Sequence, residues 1–399
     1  MSETLYEYYR QQQVLPTYGG FQSREDLAAH ERHRRRLFTD KLCLPPRLFR
    51  GARLLEFGPD AGENSLVFAL WGADCTLAEP NHKAHPVIRE YFRRFELRDR
   101  LSALESADVA SFPDPGSEAD RYDIIDAEGF IYAIKPESLW IDKLGGLARN
   151  DAFIVLFYCE AYGGFIELTL KAVQARMRQL TRLDAIESAR RLFQVKWDSI
   201  PHKRKIESWV MDVLENPFVR LRYFLEPQAL CRLMGEAGFS LYSSWPPYRD
   251  ALDVHWFKAV RPLEEQMHRH QAFIARNRLA HMFGRKHYLS HLSGELEGQL
   301  WQLLAVVDGL IDRFDAERAT QCSRSLSELT SVLKSDHLVS DAQDRQTSIQ
   351  TLECFRRLFG LLADGSVSEL VSFCNQDQAF ISAWGMPSHF AVFRKNSCD

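Results

Sequence analysis

Apolar and polar positions divide the chain into two regimes. Over roughly residues 50 to 260, short apolar runs alternate with amphipathic stretches, whereas beyond 262 the long helical periodicities dominate. The first run, Leu54, Leu55 and Phe57, passes into Gly58-Pro59-Asp60-Ala61-Gly62 and then into a helical pattern from Ser65 to Trp71. A second run, Cys75 to Ala78, ends on Glu79. A helix is expected near Pro86 to Phe95, then a strand over Leu101 to Ala107, a fourth strand from Tyr122 to Glu128, a helix from Pro136 to Arg149 and a fifth strand from Ala152 to Tyr158. Successive parallel strands need crossover connections, so five strands alternating with helices predict a parallel, doubly wound α/β sheet.

The flanking regions read differently. Residues 1 to 22 carry Tyr6, Tyr8, Tyr9, Tyr18 and Phe21, an aromatic arm that packs on the surface or closes over a ligand. Ser23 and Asp26 form a capping-box pattern that opens a helix ended by Pro45-Pro46. From about 163 to 217, Ile166, Leu170, Val173, Met177 and Leu180 recur at helical spacing, predicting a helical insertion. A short helix follows from Leu225, then Ala237-Gly238-Phe239 and strand candidates at Ser240 to Ser244 and Val254 to Val260. Beyond them, Leu296 to Phe314 and Leu352 to Leu362 read as amphipathic helices, Ser335 to Ser348 as a polar loop, and Phe380 to Phe393 as strand-like segments around Gly385-Met386-Pro387. The domains expected are an arm and helix over 1–44, a sheet domain over 45–261 and a mostly helical domain over 262–399.

The turn between the first strand and helix sets the ligand class. At the carboxyl end of a strand in an open α/β sheet, a glycine lets backbone approach a ligand, and a carboxylate at the next strand's tip can accept from both ribose hydroxyls. Gly58 and Gly62 supply the first feature and Glu79 the second. A dinucleotide site would show G-x-G-x-x-G with pyrophosphate on the helix N-terminus. Here only two glycines stand four apart and Glu63 opens the helix, which disfavours an NAD(P)-dependent oxidoreductase.

Glu56-Phe57-Gly58-Pro59-Asp60-Ala61-Gly62 resembles the first motif of class I S-adenosylmethionine-dependent methyltransferases, with Asp60 in place of the middle glycine. Asp tolerates left-handed backbone better than most residues. The resemblance covers about residues 50 to 260. It implies a Rossmann-like sheet of seven strands with the last antiparallel, S-adenosylmethionine as cofactor, Glu56, Gly58, Gly62 and Glu79 at its site, and Asp108 with Val109 near the adenine. Insertions after the fifth strand commonly cover the substrate in this family, which makes the helical insertion a candidate lid. The stretch L-L-E-F-G-P-D-A-G-E-N followed by A-E-P-N resembles bacterial methyltransferases associated with sugar and surface-glycan modification. That likeness implies a hydroxyl or amine of a polar, sugar-like acceptor.

Methyl transfer needs an in-line nucleophile more than protein chemistry, although a hydroxyl acceptor gains from a general base. Candidates at the ends of the fourth and fifth strands are Glu128, Tyr132, Tyr158, Glu160 and Tyr162. A fold kept for binding or assembly alone is the competing reading, because Asp60 interrupts the turn and the helical region offers a surface for a second copy or another protein.

Charge and composition narrow the rest. A formal net charge of -4 gives no sign of a general nucleic-acid binder. The basic runs His30 to Arg36 and His268 to His291 read as solvated faces first and as docking sites for an anionic substrate second. His287 and His291 share a helical spacing but lack the H-E-x-x-H pattern, so no metal is expected. Eight scattered cysteines form no C-x-x-C pair and read as reduced packing residues. Neither G-x-S-x-G nor a P-loop occurs. Without a span-length apolar run or an apolar leader, a cytoplasmic protein is expected.

Overall fold

The computed structural model describes residues 5–12, 20–201, 205–250, 263–284, 294–335 and 342–397. Two compact units share the chain. One comprises 1–158, 227–267 and 389–399, the other 159–226 and 268–388.

In chain order, α1 (Leu5–Gln12) precedes α2 (Arg24–Arg36), where the expected capping box is present: the Asp26 amide donates to Ser23 Oγ at 3.1 Å and the Ser23 amide to Asp26 Oδ2 at 2.9 Å. Then come β1 (Arg53–Phe57), α3 (Glu63–Leu70), β2 (Asp74–Ala78), α4 (Ala84–Arg94), β3 (Leu101–Glu105), β4 (Tyr122–Glu128), α5 (Ser138–Leu147) and β5 (Ala148–Cys159). The first insertion holds α6 (Phe165–Thr181), α7 (Ala185–Asp198) and α8 (Ile206–Trp209). The chain returns to the first unit with α9 (Pro227–Glu236) and β6 (Phe239–Trp245). It continues through α10 (Leu263–Arg276), α11 (Arg278–Phe283), α12 (Gly294–Asp312), α13 (Ala316–Ser335), α14 (Ala342–Asp364), α15 (Val367–Gln376) and α16 (Gln378–Ser382), and comes back as β7 (Ser388–Lys395).

Among the described residues the sheet has seven strands in the order β3-β2-β1-β4-β5-β7-β6. β1 lies parallel to β2 and β4, β4 parallel to β5, and β7 antiparallel to β6. Parallel strands covered on both faces read as continuous apolar runs, which is why β1 and β2 are legible in the sequence. Leu54, Leu66, Phe68, Leu77, Ile88, Phe92 and Val392 belong to one buried cluster that fixes α3 and α4 against the sheet. The N-terminal segment joins it through Phe21, stacked on Tyr91 at 5.9 Å between centroids.

The second unit is mostly helical among the described residues, and its core runs from Phe165, Leu170 and Trp209 through Leu300, Leu304 and Leu326 to Phe355 and Phe380. The order of the chain differs from expectation in three places. Residues 388–395 supply a strand of the sheet where the sequence shows only a strand-like tail, and the candidate at Val254 to Val260 lies outside the described residues. The expected polar loop Ser335 to Ser348 is cut short because α14 already begins at Ala342, and Phe380 belongs to a helix, with the strand starting at Ser388. α13 has only a faint signature in the sequence, because its buried side, Ala319, Cys322, Leu326 and Leu329, is thin and interrupted by serines. No helix among the described residues is long and apolar enough to cross a membrane.

Candidate functional site

The glycine turn closes as its residue types require. Gly58 and Gly62 have φ of 64° and 86°, and Asp60 tolerates φ of 51° between them. The Gly62 amide donates to the Pro59 carbonyl at 2.8 Å, and that of Gly58 to the Ala78 carbonyl at 2.9 Å, joining the turn to the end of β2. A side chain at Gly58 would meet the Phe130 ring 3.1 Å from its Cβ, so Phe130, unmarked in the sequence, walls the turn.

Glu79 does more than end β2. Its Oε2 accepts from the Asp60 amide at 3.0 Å and its Oε1 from the Asn81 amide at 2.7 Å, so one carboxylate clamps the turn to the following loop. A carboxylate has about four lone-pair positions, which leaves capacity for ligand hydroxyls. Burial pushes the Glu79 carboxyl up to about 7 against those two amide bonds. Asp108, the expected adenine partner, lies beyond β3 and caps its own turn, accepting from the Ser111 amide at 2.7 Å and hydroxyl at 2.6 Å. Its neighbour Val109 is buried.

A second group of carboxyls gathers where β1 and β4 end. Glu56 pairs in register with Asp126, and both are buried. Two residues on, Glu128 receives both terminal nitrogens of Arg34, at 2.9 and 2.6 Å, and the Asn64 amide at 3.4 Å. The expectation of a solvated basic face over His30 to Arg36 therefore fails at Arg34, which is buried and lies 4.7 Å from the Phe38 ring centroid. The reason is a partner 94 residues away that its basic surroundings do not reveal. Ser65 donates to Glu56 at 2.5 Å, while neither oxygen of Asp126 has a hydrogen-bond partner. Burial raises the Glu56 carboxyl to about 8, and burial beside Glu128 and Glu56 pushes Asp126 well up.

The remaining candidates fall elsewhere. Tyr132 is buried in the turn Ile131–Ala133 after β4. Tyr158, near the end of β5, shares a hydrogen bond with the Tyr248 hydroxyl, which meets His389 Nδ1 at 2.7 Å. Glu160 and Tyr162 belong to the helical unit. There Glu160 accepts from the Gly163 amide at 2.5 Å, lies 3.9 Å from His281 Nδ1, and is raised by burial to about 8. The Tyr162 hydroxyl accepts from Arg278 at 2.7 Å, and that guanidinium also meets Glu226 at 3.3 Å and Glu297. The reading of a solvated basic face holds at His268, Arg269 and Arg276, which are exposed, and fails at Arg278 and His281, which are buried because two carboxylates and a phenol hold the guanidinium inside the helical unit. His287 and His291 lie outside the described residues.

The methyltransferase-domain family matches residues 29–244. No curated protein sequence matches the chain. Solved structures similar to it include magnesium protoporphyrin IX methyltransferase from Synechocystis PCC 6803 with bound SAM, at 12% identity over 59% of this chain and 82% of that one, TM-score 0.34. The same enzyme with bound SAH aligns at 14% identity over 60% and 85%, TM-score 0.34. PKMT2 from Rickettsia typhi aligns at 13% identity over 53% and 42%, TM-score 0.36. The family match spans more than half of the chain and takes in the glycine turn, Glu79 and β4. This chain belongs to the methyltransferase-domain family and is an S-adenosylmethionine-dependent methyltransferase with a Rossmann-like sheet.

Proposed function

We propose that the enzyme methylates a hydroxyl or amine of a polar, sugar-like acceptor, with Glu56, Gly58, Gly62, Glu79, Asp108 and Val109 forming the cofactor site. The observation that carries the cofactor half is the buried, partner-poor carboxyl pair Glu56 and Asp126 beside a glycine turn, a setting suited to a ligand bearing positive charge. S-adenosylmethionine, when bound, supplies an electrophilic methyl group. Glu79 then takes the ribose hydroxyls, and the left-handed turn at Gly58 and Gly62 keeps side chains out of the ligand's way.

For the acceptor, a base poised near working pH is most effective. Glu160, with its carboxyl raised to about 8, has that property. We assign it the base role and Tyr162 an orienting one, supported by the Arg278 bond that fixes its phenol. Glu128 is the weaker candidate because Arg34 holds both of its oxygens. Tyr132 remains a candidate by its place after β4. The sugar-like acceptor rests on the resemblance of the Leu54 to Asn81 stretch alone. A surface of the helical unit is proposed as the contact for a second copy or a protein partner.

Incubation with methyl-labelled S-adenosylmethionine and fractionated extract tests the acceptor. Label in the small-molecule or glycan fraction, lost in Glu160→Gln, is expected. Label confined to protein or RNA would overturn the acceptor and leave the cofactor reading standing. Binding of NAD without binding of S-adenosylhomocysteine would overturn both.

A further inference from the structure

The charge at the ends of β1 and β4 does not balance. Glu56, Asp126 and Glu128 stand together with Arg34, and that guanidinium directs both terminal nitrogens at Glu128. Glu56 has the Ser65 hydroxyl, and Asp126, 1% exposed, has no amide, hydroxyl or cationic donor on either oxygen and faces the Glu128 carboxyl. A buried ionised carboxylate without a partner is costly, so the free protein keeps protons on this pair. A cation that enters would take their place.

We propose that Asp126, with Glu56, forms a proton-exchanging subsite for the positively charged group of the cofactor, and that Arg34 of α2 is a positioning residue that withdraws Glu128 from it. The proposal rests on the cofactor reading above. In the binding step a carboxylic acid loses its proton to solvent, and the resulting carboxylate pairs with the incoming ammonium or sulfonium, so charge is conserved and no bond to carbon changes.

Other groups around the pair do not supply this exchange by themselves. From β2 and its end, Cys75 and Glu79 interact with Glu56: Cys75 is held neutral by burial, and Glu79, raised by burial to about 7, adds a proton of its own that Asp126→Asn leaves in place. From α2, His30 is bonded to Asn64 at 2.9 Å and its imidazolium is disfavoured by burial. Arg34 itself cannot titrate in this range. Burial raises Glu56 and Asp126 in agreement with the geometry.

Calorimetric titration of the full chain with S-adenosylhomocysteine, in phosphate and in Tris at pH 7, reads the protons exchanged from the difference in heats. About one proton released per ligand is expected, with affinity rising about tenfold per pH unit between pH 6 and 7.5. Asp126→Asn, similar in shape, should release less than half as many. Arg34→Ala should release more protons than the unaltered chain, and Arg34→Lys should return toward its value; a fold made only less stable by losing Arg34 would not shift proton number. Equal heats in the two buffers, or an unchanged proton number in Asp126→Asn, would overturn the subsite while leaving cofactor binding intact. An unchanged number in Arg34→Ala would remove Arg34 from it. No binding by the unaltered chain would sink this proposal together with the cofactor reading.

Discussion

The two units differ in how most of their buried charge is met, Glu160 being the helical unit's exception. In the helical unit, Lys171 donates to the carbonyls of Val213 and Asn216 at 3.3 and 2.6 Å, Lys196 to those of Phe380 and Ala383, and Arg220 to Asp308 and Asp312. Each cation ties together segments distant in sequence. In the sheet unit, three carboxyl groups gather around Arg34 and one of them has no hydrogen-bond partner. Matched charge fixes a fold, whereas mismatched charge is tolerated only where a ligand can correct it.

That contrast breaks if the helical unit's cations are dispensable. Arg220→Ala should have the largest effect, destabilising the protein by about 3 kcal/mol in chemical denaturation, because half-buried Asp308 loses its bidentate cation and keeps only the Leu221 amide. Next, Glu79→Ala should weaken S-adenosylhomocysteine binding by about 1–3 kcal/mol, the worth of hydrogen bonds to a charged acceptor. It should also loosen the turn through the lost Asp60 bond, seen as faster amide exchange at Asp60.

A third expectation concerns pH. Carboxyls whose folded values lie above their unfolded ones bind more protons when folded, so stability falls as pH rises between the two values. Glu56 and Glu160, raised to about 8, and Glu79, raised to about 7, all give this slope from about pH 4.5 upward. His281, lowered to about 3, opposes it up to about 6.5, and Lys196, lowered to about 7, opposes it above 7. The net fall should therefore be clearest between pH 5 and 7. Glu56→Gln should flatten it by at most about 1.4 kcal/mol per pH unit, read from melting curves across that range. A slope unchanged by Glu56→Gln would mean that the sheet unit's carboxyls are ionised and paired after all.

The smallest effects sharpen the same contrast. Asp126→Asn should leave the stability of the free protein within about 1 kcal/mol of its starting value, since no hydrogen bond is lost. Arg24→Ala removes an ion pair to Glu96 whose side chains are 73% and 77% exposed, and denaturation should detect no change. A large loss at Asp126 would erase the difference between the units.

Legibility in the sequence follows locality. β1, the glycine turn, α3 and β2 are neighbours along the chain, and their pairing can be read from Leu54 to Glu79 without knowledge of anything distant. The capping box at Ser23 and Asp26 is visible for the same reason. Arg34 is opaque because its meaning depends on Glu128, and a basic run looks solvated until its partner is known. β7 is legible as a strand-like segment but its place is not, since its neighbours β5 and β6 lie far back in the sequence. Arg278 is hidden in the same way, its phenol and two carboxylates coming from residues 162, 226 and 297.

The path of the chain between the units carries a consequence for anyone who would take the molecule apart. It passes from one unit to the other four times, after Tyr158, Glu226, Met267 and Ser388. Neither unit is thus a continuous stretch, and no single cut releases either intact. A truncated chain ending after β6 would lack β7 and leave two neighbouring strands with open edges, a template for aggregation. A minimal sheet unit has to be spliced, with linkers joining Tyr158 to Pro227 and Met267 to His389. Modularity in this enzyme belongs to space and not to the gene.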